Sequence, residues 1–468
     1  MLFPTLGFAL FFLVVYLMAW ALNGSNEWRK IALLLVSWFF YGAWDPRFVA
    51  LLFASGVGNW AIGQGIVRAR SPGTAKALLT IGVVGNLGIL AWFKYAGFFF
   101  EQLSGLVHAL GLERDLPLLQ VILPVGVSFF TFQAISYLVD VRKGRVPAAG
   151  LLDLMLLMSF FPHLVAGPIV RASDLLPQFR RSPTLTRGAV AAALLLILWG
   201  LFKKAVIASQ LAADLVDPAF FDPASRSSLD LLIGAYGYAV QIYCDFSAYS
   251  DMAIGLAALL GYRFPRNFDQ PYRAASLQDF WRRWHISLSS WLRDYLYIPL
   301  GGSRRGAART YLNLFLTMLL GGLWHGASWG FVIWGGLHGG WLAIERFWTR
   351  HRPGRWPVAP RWVGVIVTFH IVVLGWVFFR APDIAAAFGY LGALAAGDWR
   401  NTLVTPLLLA LVVGGLAIHA LPVATLPALA ARVRRWPAPA VGLALGALIL
   451  VVDTMRPEGV APFIYYQF

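Results

Sequence analysis

Two histidines combine a reactive side chain with an apolar setting. His325 lies in Gly321-Gly322-Leu323-Trp324-His325-Gly326, between segments 311–323 and 327–344, neither of which contains Lys, Arg, Asp or Glu. An ionisable imidazole at membrane depth is costly, so it is a functional-site candidate by default. The flanking glycines let backbone or substrate approach closely, and a neutral imidazole is the usual general base near pH 7. A structural histidine hydrogen-bonded between helices accounts for the same residues, and both readings stay open. His285 lies upstream in Phe280-Trp281-Arg282-Arg283-Trp284-His285-Ile286-Ser287. Ser276 and Asp279 resemble a capping box at a helix start. In one continuous helix from there, Phe280, Trp281, Trp284, Leu288, Trp291 and Leu292 fall within roughly 120° of arc, with His285 at the border. That pattern also suits an interfacial helix anchored by tryptophans, with its basic residues facing lipid phosphates.

A second group of polar residues, Asp245, Ser247, Tyr249 and Asp251, interrupts an apolar run. Buried carboxylates need partners, and nearby arginines are the expected ones. A structural ion-pair network and a catalytic role are both compatible with this cluster. Residues 123–140, with Ser128, Thr131, Gln133, Tyr137 and Asp140, read as a polar-decorated apolar helix lining a cavity. His338, His163, His370 and His419 lie in apolar stretches and read as structural, and His108 and His351 as loop residues. The single Cys244 is embedded among apolar residues, so neither a disulfide nor a metal site follows from it.

The elements that hold these groups belong to a membrane. Of 468 residues 59% are hydrophobic and 13% charged, about half the charged share of a soluble domain. Apolar runs fall near 3–22, 31–44, 48–67, 77–100, 121–138, 151–170, 189–207, 229–260, 311–323, 327–344, 362–379, 403–421 and 437–452. Several are shorter than the ~20 residues a spanning helix needs. Many contain Gly or Pro, which points to broken or re-entrant helices, tolerated at depth only where they line a cavity. No cleavable signal is evident. The net charge of +16 is the excess of Lys and Arg that cytoplasmic loops collect, and no nucleic-acid partner follows from it.

The same bias orients the chain. Arg29 and Lys30 place the N-terminus outside, the basic stretch from Arg263 to Arg309 is cytoplasmic, and the C-terminus falls outside. Basic loops on both sides make 151–170 re-entrant, and make 311–344 a hairpin with His325 at its buried turn. No internal repeat is visible, which argues against a secondary transporter or flippase, since many such folds are built from repeats. A scaffold protein would not need a histidine at depth.

Five collinear stretches carry a family resemblance: Leu123 to Asp140, Phe161 to Pro168, Asp245 to Asp251, Phe280 to Gly302, and Gly321 to Trp329. The chain resembles the membrane-bound O-acyltransferases, in particular the bacterial branch that contains alginate O-acetyltransferases and teichoic acid D-alanyl transferases. The aromatic C-terminus and the Trp-Arg-Arg-Trp-His wording favour the alginate type over the D-alanyl type. The resemblance implies an all-α polytopic membrane protein, a ring of transmembrane and re-entrant helices around a funnel with a thin floor. One membrane-embedded domain would occupy 1–468, with core motifs in 123–341 and accessory helices in 1–122 and 345–468. The family's invariant histidine maps onto His325, and its upstream polar position, Asn in many eukaryotic relatives, onto His285.

Further expectations follow from the resemblance. The activity would be acyl transfer to a hydroxyl in a bacterial inner membrane, with both termini periplasmic. The co-substrate would be acetyl-CoA or another acyl thioester on the cytoplasmic side, with no bound cofactor and no metal. Arg282, Arg283, Arg304 and Arg305 could meet its phosphates. His325 would take the proton from an attacking hydroxyl, and His285 would orient that hydroxyl or stabilise the oxyanion. A periplasmic acetyltransferase would be the partner, and the acceptor polysaccharide is not written in the chain. Phe463-x-Tyr465-x-x-Phe468 resembles the C-terminal pattern of a small partner protein of teichoic acid D-alanylation, which makes Tyr465 a candidate acyl carrier. Simple interfacial packing of the same aromatics explains the tail equally.

Overall fold

The computed structural model describes residues 3–111, 121–351, 359–422 and 424–455, and among these residues the regular structure is entirely helical. Among the described residues, five helical stretches are long and apolar enough to cross a membrane: Leu6–Gly24, Arg47–Arg68, Pro72–Ala109, Arg187–Phe221 and Arg361–Arg380. Two compact units are formed, residues 1–185 with 256–264, and residues 186–255 with 265–468.

The first unit begins with α1 (Leu6–Ala21), α2 (Asn26–Gly42), α3 (Arg47–Arg68) and α4 (Pro72–Ala109). On α1 the residues Leu6, Leu10, Leu13, Val14 and Leu17 are exposed, a surface suited to hydrocarbon rather than water. Arg29 and Lys30, which orient α1 in the sequence, are both buried. Arg29 donates to Ala19 O (3.0 Å), to Tyr262 Oη (2.9 Å) and to Leu260 O, and Lys30 pairs with Asp153 at 2.8 Å. These two basic residues therefore pin α2 inside the protein.

Next come α5 (Val127–Arg142), α6 (Leu151–Ser159), α7 (Phe161–Leu164) and α8 (Ala172–Phe179). Nearly every residue of α5 is buried, and several of its polar groups bond within the unit. The Gln133 amide donates to Val170 O at 3.1 Å, and Tyr137 Oη accepts from Ala149 N at 3.0 Å. This helix is a core element of the first unit. The segment 151–170, expected to be re-entrant, is not one continuous helix: α6 ends at Ser159 and α7 starts at Phe161. At 1.5 Å per residue α6 is about 14 Å long, less than half of the ~30 Å hydrocarbon core.

The second unit opens with α9 (Arg187–Phe202), which continues through two wide π turns, Lys203–Ala208 and Ala212–Val216. The single turn α10 (Ser209–Leu211) lies between them and α11 (Asp217–Phe221) follows. The long α12 (Ser228–Leu259) comes next, its last residues belonging to the first unit. Then follow α13 (Leu277–Arg283), α14 (Ile286–Leu292), α15 (Ala307–His325), α16 (Trp329–His351) and α17 (Arg361–Arg380). The unit ends with α18 (Ile384–Ala395), α19 (Pro406–Ala417), α20 (Thr425–Val433) and α21 (Ala438–Met455). His108 and His351, expected in loops, lie in the last turns of α4 and α16.

Lysines, not the expected arginines, pair with Asp245 and Asp251 on α12. Lys203 Nζ meets Asp251 at 2.7 Å and Ser247 Oγ at 2.6 Å, and Lys204 Nζ meets Asp245 at 2.9 Å. The Lys204 and Asp245 side chains are both almost fully buried. The α15–α16 hairpin forms as expected, and glycine sets how closely its arms approach. A Cβ at Gly335 would lie 3.0 Å from the Leu319 Cα, and one at Gly322 would lie 3.1 Å from the Gly335 Cα. Small residues are what let helices in membranes approach backbone to backbone.

Two stability predictions follow, both read by thermal unfolding of the purified protein. Gly335→Val forces the hairpin apart and costs about 1–3 kcal/mol, the usual range for overpacking. Lys204→Met leaves Asp245 as a buried charge without its counter-ion and costs about 3–5 kcal/mol. Lys204→Met combined with Asp245→Leu recovers most of that loss, because the pair as a whole is close to neutral against apolar replacements.

Candidate active site

The segment around His285 departs from the single amphipathic helix of the sequence reading. α13 stops at Arg283 and α14 starts at Ile286, with His285 between them in the left-handed region at φ 42° and ψ 56°. A non-glycine residue held there costs on the order of 1–3 kcal/mol and persists only where its surroundings enforce it. Enforcement comes from both sides. Ser276 Oγ caps α13 by accepting from Asp279 N at 3.1 Å, as the capping box implied. Glu345 of α16 completes that cap, accepting from Leu277 N at 2.7 Å and Gln278 N at 3.3 Å. On the other side, Asn267 receives the first N–H groups of α14.

The tryptophans of this segment are not lipid anchors. Trp281, Trp284 and Trp291 are all buried, which removes the interfacial reading. Trp284 packs on Phe280, on Phe268 and on Trp376 of α17, with centroids 5.6, 5.1 and 5.0 Å apart. Trp281 Nε1 donates to His338 Nδ1 at 3.2 Å, so His338 is a bonded member of the aromatic core, in line with its structural reading.

His285 itself has no exposed surface. Its ring meets Phe246 edge-on at 4.5 Å, lies 5.9 Å from Trp324, and stacks with Phe268 at 6.4 Å. Neither of its nitrogens has a hydrogen-bond partner among the described residues. Buried polar atoms almost always have a partner, so an unpaired imidazole calls for an explanation such as a catalytic role or a ligand.

His325 is the last residue of α15, where the chain turns extended at Gly326 (φ −167°, ψ 161°). It sits at the turn of the hairpin, 4% exposed, with Trp324, Trp334 and Phe379 at 5.0, 5.0 and 5.2 Å. Trp324 touches both imidazoles, so the structure brings His285 and His325 into one aromatic cluster. Phe246, beside Asp245 on α12, joins that cluster through His285. The polar cluster Asp245, Ser247, Tyr249 and Asp251 thus braces the site through its lysines, and Tyr249 lies 5.7 Å from Lys204 Nζ.

The four arginines part company. Arg283 is engaged with Asp279 (2.9 Å) and with Asp269 O (3.2 Å), which makes it a brace for the bend at His285. Arg282, Arg304 and Arg305 are exposed. Tyr465 lies outside the described residues. Three contributors were missed by the sequence reading: the lysine pair, Asn267 and Glu345. Two lysines inside the apolar run 189–207 were a visible signal, since charges at depth are rare and usually paired. Asn267 gave none.

Residues 148–381 match the family model of the membrane-bound O-acyltransferases, a range that contains both histidines. Among curated proteins, a probable alginate O-acetylase of Pseudomonas aeruginosa is 44% identical over 86% of this chain and 76% of its own length. A peptidoglycan O-acetyltransferase of Helicobacter pylori is 37% identical, covering 76% of this chain and 72% of that protein. A teichoic acid D-alanyltransferase of Streptococcus thermophilus is 27% identical over 54% of this chain and 68% of its own. An all-α, multi-pass membrane protein with these relatives and these motifs is an acyltransferase: the chain belongs to the membrane-bound O-acyltransferase family.

Proposed function

We propose that this protein moves acetyl groups from a cytoplasmic thioester, acetyl-CoA, across a bacterial inner membrane for the O-acetylation of an alginate-like exopolysaccharide. The observation that carries the reading is the pair of buried imidazoles that share Trp324, within the segment matched by the family. A hydroxyl oxygen attacks the thioester carbonyl, a C–O bond forms, the C–S bond breaks and the thiol leaves. His325 takes the hydroxyl proton and returns it to the leaving sulfur. His285, whose nitrogens are otherwise unpaired, donates to the oxyanion of the tetrahedral intermediate.

Enclosure by aromatic side chains supports this division of labour, because a site without water strengthens each electrostatic contact and suppresses hydrolysis of the thioester. Arg282, Arg304 and Arg305 are exposed and would meet the donor's phosphates, whereas Arg283 is already committed. The alginate-type acceptor is favoured by the 44% identity to an alginate O-acetylase over 37% to a peptidoglycan O-acetyltransferase. A periplasmic acetyltransferase acting after this protein fits the same reading, with both termini on that side of the membrane.

The reading is tested in a deletion strain complemented with wild type or His325→Ala. His325→Ala lowers the O-acetyl content of the exopolysaccharide by at least about 100-fold, the range for losing a general base. Protein level in the membrane stays unchanged. Retained acetylation overturns the assignment of His325. Loss of acetyl groups from peptidoglycan, with the exopolysaccharide unaffected, overturns the choice of acceptor.

A further inference from the structure

Every helix begins with N–H groups that have no partner inside the helix. The residue at the N-cap normally answers them with its own side chain, and Ser, Thr, Asp and Asn are preferred there for that reason. α14 begins differently. His285 occupies its N-cap, in the left-handed region, and forms no side-chain cap. The work is done by Asn267, from the loop that precedes α13. Its backbone oxygen accepts from Ile286 N at 2.8 Å. Its side-chain Oδ1 accepts from both Ser287 N (3.2 Å) and Ser287 Oγ (2.8 Å). Its Nδ2 donates to Ser250 Oγ on α12 at 3.0 Å.

One side chain, 1% exposed, therefore links three elements: its own loop, the first turn of α14, and the stretch of α12 that carries Phe246. Phe246 is the ring that meets His285 at 4.5 Å. Two consequences follow. The backbone at His285 is held in a conformation it would otherwise leave, and the imidazole is released from capping, with both nitrogens left unpaired.

The geometry assigns Asn267 as the positioning residue for His285. It caps α14 from a distance so that the histidine at the cap position can face the reaction instead. This assignment rests on the proposed role of His285, and the test separates the two. A misplacement of about 1 Å in a catalytic group can lower a rate a hundredfold, so a positioning residue acts on kcat.

The test uses the full-length protein in lipid nanodiscs, with acetyl-CoA and polysaccharide acceptor, and compares Asn267→Leu, Asn267→Asp and Ser250→Ala in wild-type and His285→Ala backgrounds. Asn267→Leu lowers kcat about 10- to 100-fold while KM for acetyl-CoA moves less than about twofold. Asn267→Asp, whose carboxylate still accepts from Ser287 N and Oγ, recovers most of the rate. In the His285→Ala background Asn267→Leu adds no further loss, the signature of two residues acting as one.

Full activity of Asn267→Leu, or a loss that multiplies with that of His285→Ala, overturns the assignment. Should Asn267→Leu fail to accumulate as folded protein, Ser250→Ala removes only the link to α12. It is expected to give a smaller fall in kcat, again absent when His285 is replaced, and an unchanged rate overturns the proposal. If His285→Ala is fully active on its own, the role of His285 falls and this assignment with it. If His285→Ala is impaired while the Asn267 variants are not, only this assignment falls.

Discussion

The pairing of Lys203 and Lys204 with the carboxylates of α12 is the interaction on which the second unit depends. Lys203, Lys204 and Asp245 are buried and Asp251 is partly buried, so removing one member of either pair costs its neighbour a counter-ion in a medium that solvates charge poorly. Such pairs add little net stability against apolar replacements, so what they supply is register. Adjacent lysines can engage carboxylates at 245 and 251 only if the helix carrying them lies at one height along α12. The π turn that begins at Lys203 widens the helix where both side chains must reach the same neighbour. Single π turns of this kind recur at functional sites in other helices. Once α12 is fixed, so is Phe246, and through it one face of His285.

A second constraint runs along the α13–α14 segment. Neither Pro nor Gly interrupts Trp284-His285-Ile286, and the apolar stripe continues across the junction. Local propensity alone would carry one helix through. What breaks it is competition from distant groups: Glu345 takes the N–H groups at the start of α13, and Asn267 takes those at the start of α14. Backbone donors satisfied from outside release the segment from making those bonds to itself. The left-handed residue then falls at a histidine, a residue type several-fold enriched there among non-glycines.

This explains which parts of the molecule were legible in the sequence. The hairpin around His325 was, because two uncharged runs flank one glycine-rich turn. The capping box at Ser276 was legible too, being a four-residue pattern. The break at His285 was not, since its causes lie far away in the chain. Nor were the burials of Trp281 and Trp284, because a tryptophan stripe looks the same whether it faces lipid or the rings of Trp334 and Trp376. Arginines were expected beside Asp245 because the basic loops are rich in them. Lys203 and Lys204 won that place by lying on the helix packed against it, which is a fact of tertiary structure.

His285, His325 and His338 all lie in the aromatic core of the second unit, and their differences bear on chemistry. His338 accepts from Trp281 Nε1, which fixes its ring and occupies one nitrogen. His285 has the same degree of burial and neither nitrogen occupied. His325 lies between Trp324 and Trp334 and is buried as well, at 4% exposure. An acyl transfer needs one imidazole that can exchange a proton with an incoming hydroxyl and one donor already aimed where negative charge develops. The first must be reachable, while the second gains strength from being dry, since a hydrogen bond in a low-dielectric setting is electrostatically stronger. On the proposed reading the donor is His285, enclosed by rings, and the base is His325, the last residue of α15 at the turn of the hairpin.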